Sequence, residues 1–297
     1  MTAVHPSPDA GRFAPSPSGD LHIGNLRTAL LAWLWARSTG RRFVLRIDDL
    51  DRVRAGAEER QLADLTALGV DWDGPILRQS TRLDIYRDAV TTLTEARRTY
   101  PCFCTRREIQ EAPSAPHSPP GTYPGTCRDL TADEIRARTE ERPAALRLRA
   151  DIDKWLIEDE RHGTVSGPVD DFVLLRNDGV PAYNLTVVVD DAAQSVDQVV
   201  RGDDLLASAP RQAYLASLLG LSPPTYIHVP LALNKAGARL AKRDGAVTWT
   251  ELERLGIDRF RLIANSLGLA GSSPTELLTE FDPAVVPSDP WVFEPPA

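Results

Sequence analysis

Apolar residues recur with a helical period over residues 21–37, 58–68, 82–98 and 249–269, and each stretch is expected to be a helix. Within 58–68, Leu62, Leu65 and Leu68 share one face; within 82–98, Ile85, Tyr86, Ala89, Val90 and Leu93 are expected to point inward. Residues 131–142 read as a charged helix capped by Thr131, with Glu134 three positions on. Short apolar runs at 42–47, 145–150, 151–159 and 226–233 read as strands. The runs 165–176 and 180–189 flank Asn177-Asp178-Gly179, and Asp-Gly between apolar runs favours a hairpin. Val199 to Asp204 ends another strand in charged residues and opens a helix, and the Pro-rich stretch 273–297 reads as irregular. Strands alternating with helices imply an α/β fold with a doubly wound, Rossmann-like parallel sheet and a small C-terminal helical part. The expected divisions are 11–100 and 166–230 for the two halves of a nucleotide-binding domain, 101–165 for an insertion, and 231–297 for a loop and helical part.

The stretch 12–25 joins a short strand to the first helix through two prolines, serines and Gly19. A strand, a tight turn and a helix present unpaired N–H groups and the positive end of the helix dipole, which suits a phosphate. His22 and Asn25, three apart, are candidates to aim donors at the same phosphate. The strand at 42–47 runs into Asp48-Asp49-Leu50-Asp51, and ligands of open α/β sheets gather at such carboxyl ends.

The 297 residues are 42% apolar and 26% charged, ordinary for a globular protein. A net charge of −8 argues against a non-specific nucleic-acid binder coated in Lys and Arg, though a local basic groove remains compatible. No apolar run reaches membrane-spanning length and the first eleven residues lack signal-peptide character, so the cytoplasm is the expected compartment. Three cysteines give no disulfide framework. Cys102, Cys104 and Cys127 offer three thiolates to one ion, and zinc then needs a fourth ligand, Tyr123 or His117.

The segment His22-Ile23-Gly24-Asn25, inside Arg12-Phe13-Ala14-Pro15-Ser16-Pro17, resembles the HIGH signature of class I aminoacyl-tRNA synthetases in its glutamate-enzyme context. The resemblance runs from Gly11 to about Leu269. A full glutamyl-tRNA synthetase continues into a helical anticodon-binding region, which this sequence lacks. With the Cys-x-Cys…Tyr-x-x-x-Cys element, that likeness narrows to the shortened glutamyl-Q tRNA(Asp) synthetases, and it favours Tyr123 as the fourth ligand of a structural zinc.

The resemblance implies that Arg12, Ala14, Ser16, Asp48, Tyr183 and Arg201 bind glutamate, with two arginines clamping its side-chain carboxylate. It implies that Ser18, His22, Gly24, Asn25 and Lys242 bind ATP with Mg²⁺, and that His22, Asn25 and Lys242 serve catalysis. Two positions depart from the pattern: Asp48 stands where similar enzymes carry glutamate, and Arg239-Leu240-Ala241-Lys242-Arg243 replaces the Lys-(Met/Leu)-Ser-Lys loop. The implied activity is tRNA-independent formation of glutamyl-adenylate and transfer of glutamate to queuosine in the anticodon of tRNA(Asp), by a monomer. Two alternatives are a truncated glutamyl-tRNA synthetase charging the terminal adenosine and an inactive tRNA- or nucleotide-binding paralogue.

Overall fold

The computed structural model describes residues 9–111, 123–240 and 247–294. The first half runs β1 (Ala10–Phe13), α1 (Ile23–Ser38), β2 (Arg42–Ile47), α2 (Ala57–Leu68), β3 (Leu77–Arg78) and α3 (Leu83–Glu95). Next come β4 (Thr99–Cys102), α4 (Arg106–Glu111), α5 (Ala132–Glu141), β5 (Ala145–Leu148), β6 (Lys154–Asp159), β7 (Gly163–Pro168) and β8 (Val173–Leu175). The second half runs α6 (Tyr183–Ala193), β9 (Val196–Gly202), α7 (Ala209–Leu218), β10 (Thr225–Val229) and β11 (Ala232–Leu233). Helices α8 (Trp249–Arg254), α9 (Arg259–Ser266) and α10 (Pro274–Glu280) and strand β12 (Trp291–Val292) end the described chain.

Seven strands form the main sheet in the order β3-β2-β1-β9-β10-β6-β7, parallel except for the edge pair β6–β7. The order reverses direction between β1 and β9, and a crevice opens at the carboxyl ends of strands beside such a switch point. Helix α1 is apolar on nearly every face, and such a helix must be covered all round. It packs on β1 and β9 and beneath α2, α9 and α10, with Trp35 edge-on to Phe281 at 5.3 Å. A separate apolar cluster gathers Tyr86, Val90 and Leu93 of α3 with Leu185 and Val187 of α6 and Leu215 of α7.

Several local expectations are corrected. The helix expected over 249–269 is two helices, α8 and α9, broken after Arg254 where Gly256 takes a positive φ. Residues 183–193 form helix α6, where a returning hairpin strand was expected; its backbone is helical from Tyr183 and its apolar residues are buried. The turn at Asn177-Asp178-Gly179 does fold the chain back as expected, with Leu175 bridged antiparallel to Pro181 and the Arg176 N–H donating to the Val180 carbonyl at 2.9 Å. The returning arm ends where α6 begins, and β6–β7 forms a longer hairpin. Ile85 is exposed, because the buried stripe of α3 runs through Tyr86, Val90 and Leu93. The stretch from residue 273 is partly ordered: Ser273 accepts the N–H of Glu276 and starts α10, with Pro274 at its first position. The strand expected at 226–233 is broken after Val229 into β10 and β11.

Strand β4 and the segment that follows it lead to a second, antiparallel sheet of order β4-β5-β8. Strand β6, although inside 101–165, and β7, which straddles the end of that range, extend the main sheet, and β8 from beyond it completes the small one.

Candidate active site

The turn between β1 and α1 is tied down by its own carbonyls. Pro15 accepts the N–H of Asp48 at 3.0 Å, and Pro17 that of Arg54 at 2.9 Å. The buried amide of Gln61 donates to the carbonyls of Ser16 and Gly19 at 3.0 and 2.6 Å. Thus the ends of β2 and α2 hold the phosphate-type turn in place. His22 is the N-cap of α1: its Nδ1 accepts the Asn25 N–H at 3.2 Å, and Asn25 Oδ1 accepts the His22 N–H at 3.2 Å. An accepting Nδ1 puts the proton of a neutral ring on Nε2. Gly24 is obligatory by proximity, since a Cβ there would stand 2.8 Å from that of Ala232.

A cavity of about 140 Å³ opens at the switch point. Its wall combines Arg12 and Ala14 from the end of β1, Arg46 and Asp48 from β2, and Arg201 and Gly202 from β9. The start of α1 contributes His22, Gly24 and Asn25, the start of α6 contributes Tyr183, and Arg239 closes one side. Arg46 Nε lies 2.7 Å from Asp48 and its Nη1 2.5 Å from Asp191, while Asp191 also pairs with Arg12 at 3.6 Å. Asp190 accepts from Arg82 at 2.7 Å, Tyr86 at 2.8 Å and Gln79 at 3.0 Å. Three carboxylates therefore meet three guanidiniums.

Arg201 stands outside that balance. Its Nε and Nη1 donate to His228 Nε2 at 3.0 Å and Gln212 Oε1 at 2.8 Å, both neutral groups. Arg239, also on the wall, is paired with Asp204, so among the described residues the lining and the ion pairs behind it carry one positive charge in excess. Burial raises the Asp48 carboxyl above its ordinary value despite the pull of Arg46. Burial also lowers the Arg12 guanidinium, with Asp191 opposing and Arg46 and Arg201 adding to the effect. Arg46 Nη2 is buried with no hydrogen-bond partner.

At the small sheet, the sulfurs of Cys102, Cys104 and Cys127 lie within 4.8 Å of one another. Tyr123 Oη lies 3.4 Å from Cys102 Sγ and 3.9 Å from Cys104 Sγ, and Cys104 Sγ is 3.6 Å from Cys127 Sγ. Zinc–sulfur bonds of ~2.3 Å in a tetrahedron put neighbouring sulfurs ~3.8 Å apart, so this donor set fits such an ion. The cluster can hold a metal ion.

The sequence matches the family described as "tRNA synthetases class I (E and Q), catalytic domain" over residues 10–283. It is 64% identical over 288 residues to the glutamyl-Q tRNA(Asp) synthetase of Nocardia farcinica, covering 96% of this chain and 93% of the relative. The chain belongs to the glutamyl-Q tRNA(Asp) synthetase family. The glutamyl-Q tRNA(Asp) synthetase of Cutibacterium acnes is 53% identical, over 95% of this chain and 82% of that one. A crystal structure of a glutamate tRNA ligase from Elizabethkingia meningosepticum, in complex with its amino acid, superposes with a TM-score of 0.78. It shares 26% identity across 97% of this chain and 67% of its own.

Of the residues singled out in this synthetase, Arg12, Ala14, His22, Gly24, Asn25, Asp48, Tyr183 and Arg201 line one cavity. Tyr183 is 43% exposed there and is no core aromatic. Ser16 and Ser18 are exposed on the turn and do not line the cavity. Lys242 and Ala241, like His117, lie outside the described residues. The chain on either side of 241–246 is anchored at the cavity. Arg239 lines it and pairs with Asp204 at 2.6 Å, and Thr248 bridges to His22. Sequence reasoning missed Arg46, Asp191, Gln61 and His228. Arg46 did leave a signal, as a charge inside the apolar run of β2. Among the described residues, no helix is long and apolar enough to cross a membrane.

Proposed function

We propose that the cavity activates glutamate with ATP and that the product, glutamyl-adenylate, delivers glutamate to the queuosine base in the anticodon of tRNA(Asp). The observation behind this reading is Arg201, whose charge no carboxylate among the described residues balances, beside Arg12 and Asp48. Glutamate carries one ammonium and two carboxylates, a net charge of −1. Asp48 suits the ammonium, and Arg12 and Arg201 suit the side-chain carboxylate, for which a guanidinium offers paired donors. Glutamine, neutral overall and with donors of its own, fits this wall poorly.

In the first step an oxygen of the α-carboxylate attacks the α-phosphorus and pyrophosphate leaves. The nucleophile is already ionised, so positioning and charge stabilisation are the protein's contribution. The His22 ring, the Asn25 amide and the N-terminus of α1 suit the phosphates, and Lys242 suits the departing pyrophosphate. Mg²⁺ bound to the nucleotide would neutralise phosphate charge. Cys102, Cys104, Cys127 and Tyr123 would hold a structural zinc, with every position filled by protein.

Glutamate-dependent ATP–pyrophosphate exchange without tRNA tests the activation step. Mapping where labelled glutamate resides on tRNA(Asp) tests the second. Label on the terminal adenosine supports a shortened glutamyl-tRNA synthetase instead, and no exchange by folded protein supports a silent paralogue.

A further inference from the structure

His228 is wholly buried on β10, beside Arg201 on β9, and the activation scheme gives it no task. Arginine Nε can only donate, so His228 Nε2, 3.0 Å away, accepts. The proton of the neutral ring is then on Nδ1, which lies 2.6 Å from Asp159 Oδ2. That carboxylate cannot turn to offer anything else. Oδ2 also accepts the His228 N–H at 3.1 Å, and Oδ1 accepts those of Arg161 and His162 at 3.0 Å each. Burial pushes the His228 ring below its ordinary value, against the pull of Asp159, and so favours the neutral ring.

The same accounting applies to Arg201. Of five N–H groups, Nε–H goes to His228, one on Nη1 goes to Gln212 at 2.8 Å and one on Nη2 reaches the Leu205 carbonyl at 3.4 Å. Gln212 is itself fixed by donating to Asn184 Oδ1 at 3.0 Å. One N–H remains on each terminal nitrogen, the number a carboxylate takes from a guanidinium.

We propose that His228 is a positioning residue for substrate recognition: Asp159 fixes its tautomer, and the acceptor nitrogen so created holds the Arg201 fork toward the cavity for a carboxylate. The inference rests on the reading of glutamate as the substrate. Because it concerns how the substrate is held, removing the acceptor acts on KM rather than on kcat.

The test combines kinetics with spectroscopy. H228L is expected to raise the glutamate KM in exchange at least tenfold, with kcat and the ATP KM within about twofold of wild type. H228Q, whose Oε1 can accept from Arg201, is expected to recover to within about threefold. Nitrogen-15 NMR of histidine-labelled wild type is expected to show His228 neutral and protonated at Nδ1. An unchanged glutamate KM in folded H228L, or an Nε2-protonated or cationic ring, overturns the proposal. Absence of exchange in the wild type refutes the activation reading alone. Glutamate dissociation constants of wild type and H228L, measured by calorimetry, then decide the role of His228.

Discussion

Asp48 and Arg46, two residues apart at the end of β2, face each other across 2.7 Å at the cavity wall, Arg46 fully buried and Asp48 nearly so. Arg46 also holds Asp191, so Asp48 shares its cation and retains capacity for a second one. In D48N the charge goes while the volume stays. The glutamate KM is expected to rise at least tenfold, about 1.4 kcal/mol of binding. Thermal melting is expected to fall too, because a buried guanidinium loses one partner. Exchange kinetics with varied glutamate check the first effect; an unchanged KM removes Asp48 from the ammonium site.

Arg201 offers a fork as well as a charge, and the two can be separated. R201K keeps the charge without paired donors and loses the bond to His228 that Nε makes. Its kcat/KM for glutamate is expected to drop about 100-fold, near 2.7 kcal/mol. R201Q is expected to narrow the preference for glutamate over glutamine, since the excess positive charge disappears. Exchange assays with both amino acids check this, and an unaltered preference rules out Arg201 as the selective group.

The strand–turn–helix at 10–38 was legible because each of its signals is local: the prolines, the serines, Gly19 and a long apolar helix. The role of Arg46 was only hinted at by its charge inside an apolar run: Asp48 is two residues away, but its second partner, Asp191, is 145 residues away and nothing near β2 points to it. Helix α6 was misread for a related reason. Val187-Val188-Val189 has the composition of a buried strand, and short apolar runs do not reveal their period. What decides it is packing against α3, α7 and β9. At α10 the capping serine, proline and glutamate were all in the sequence but hidden within a Pro-rich stretch.

The thiol cluster makes a quantitative expectation: metal analysis should find one zinc per chain. Arg147 lies over the Tyr123 ring at 3.7 Å and Arg138 donates to Cys127 Sγ at 3.7 Å, so two cations offset the negative ligands. Y123F is expected to lower zinc affinity at least tenfold in chelator competition, and H117A to leave it unchanged. The reverse result identifies His117 as the fourth ligand. Stripping the zinc is expected to lower the melting temperature, because the ligands tie β4 to the segment before α5.

Lys242 follows Arg239, a cavity residue, by three positions. K242A is expected to lower exchange at least tenfold, about 1.4 kcal/mol of transition-state stabilisation. If exchange is unchanged, Lys242 has no part in pyrophosphate departure.

Asp64, on α2, is buried at 9% exposure. Burial, reinforced by Asp20 and partly opposed by Arg259 and Arg60, raises its carboxyl from 3.8 to about 6. The folded protein therefore binds this proton more tightly than the unfolded chain does. Protonation on descending from pH 6 toward 4 stabilises the fold, and the cost of the ionised form is fully present above pH 6. A difference of about two pH units caps that cost near 3 kcal/mol. D64N is isosteric and cannot ionise. It is expected to be more stable than wild type at pH 8 by about 2 kcal/mol, with the gain vanishing near pH 4. Urea unfolding at the two pH values measures both terms, and a gain of equal size at pH 4 and pH 8 excludes the carboxyl's ionisation as its source.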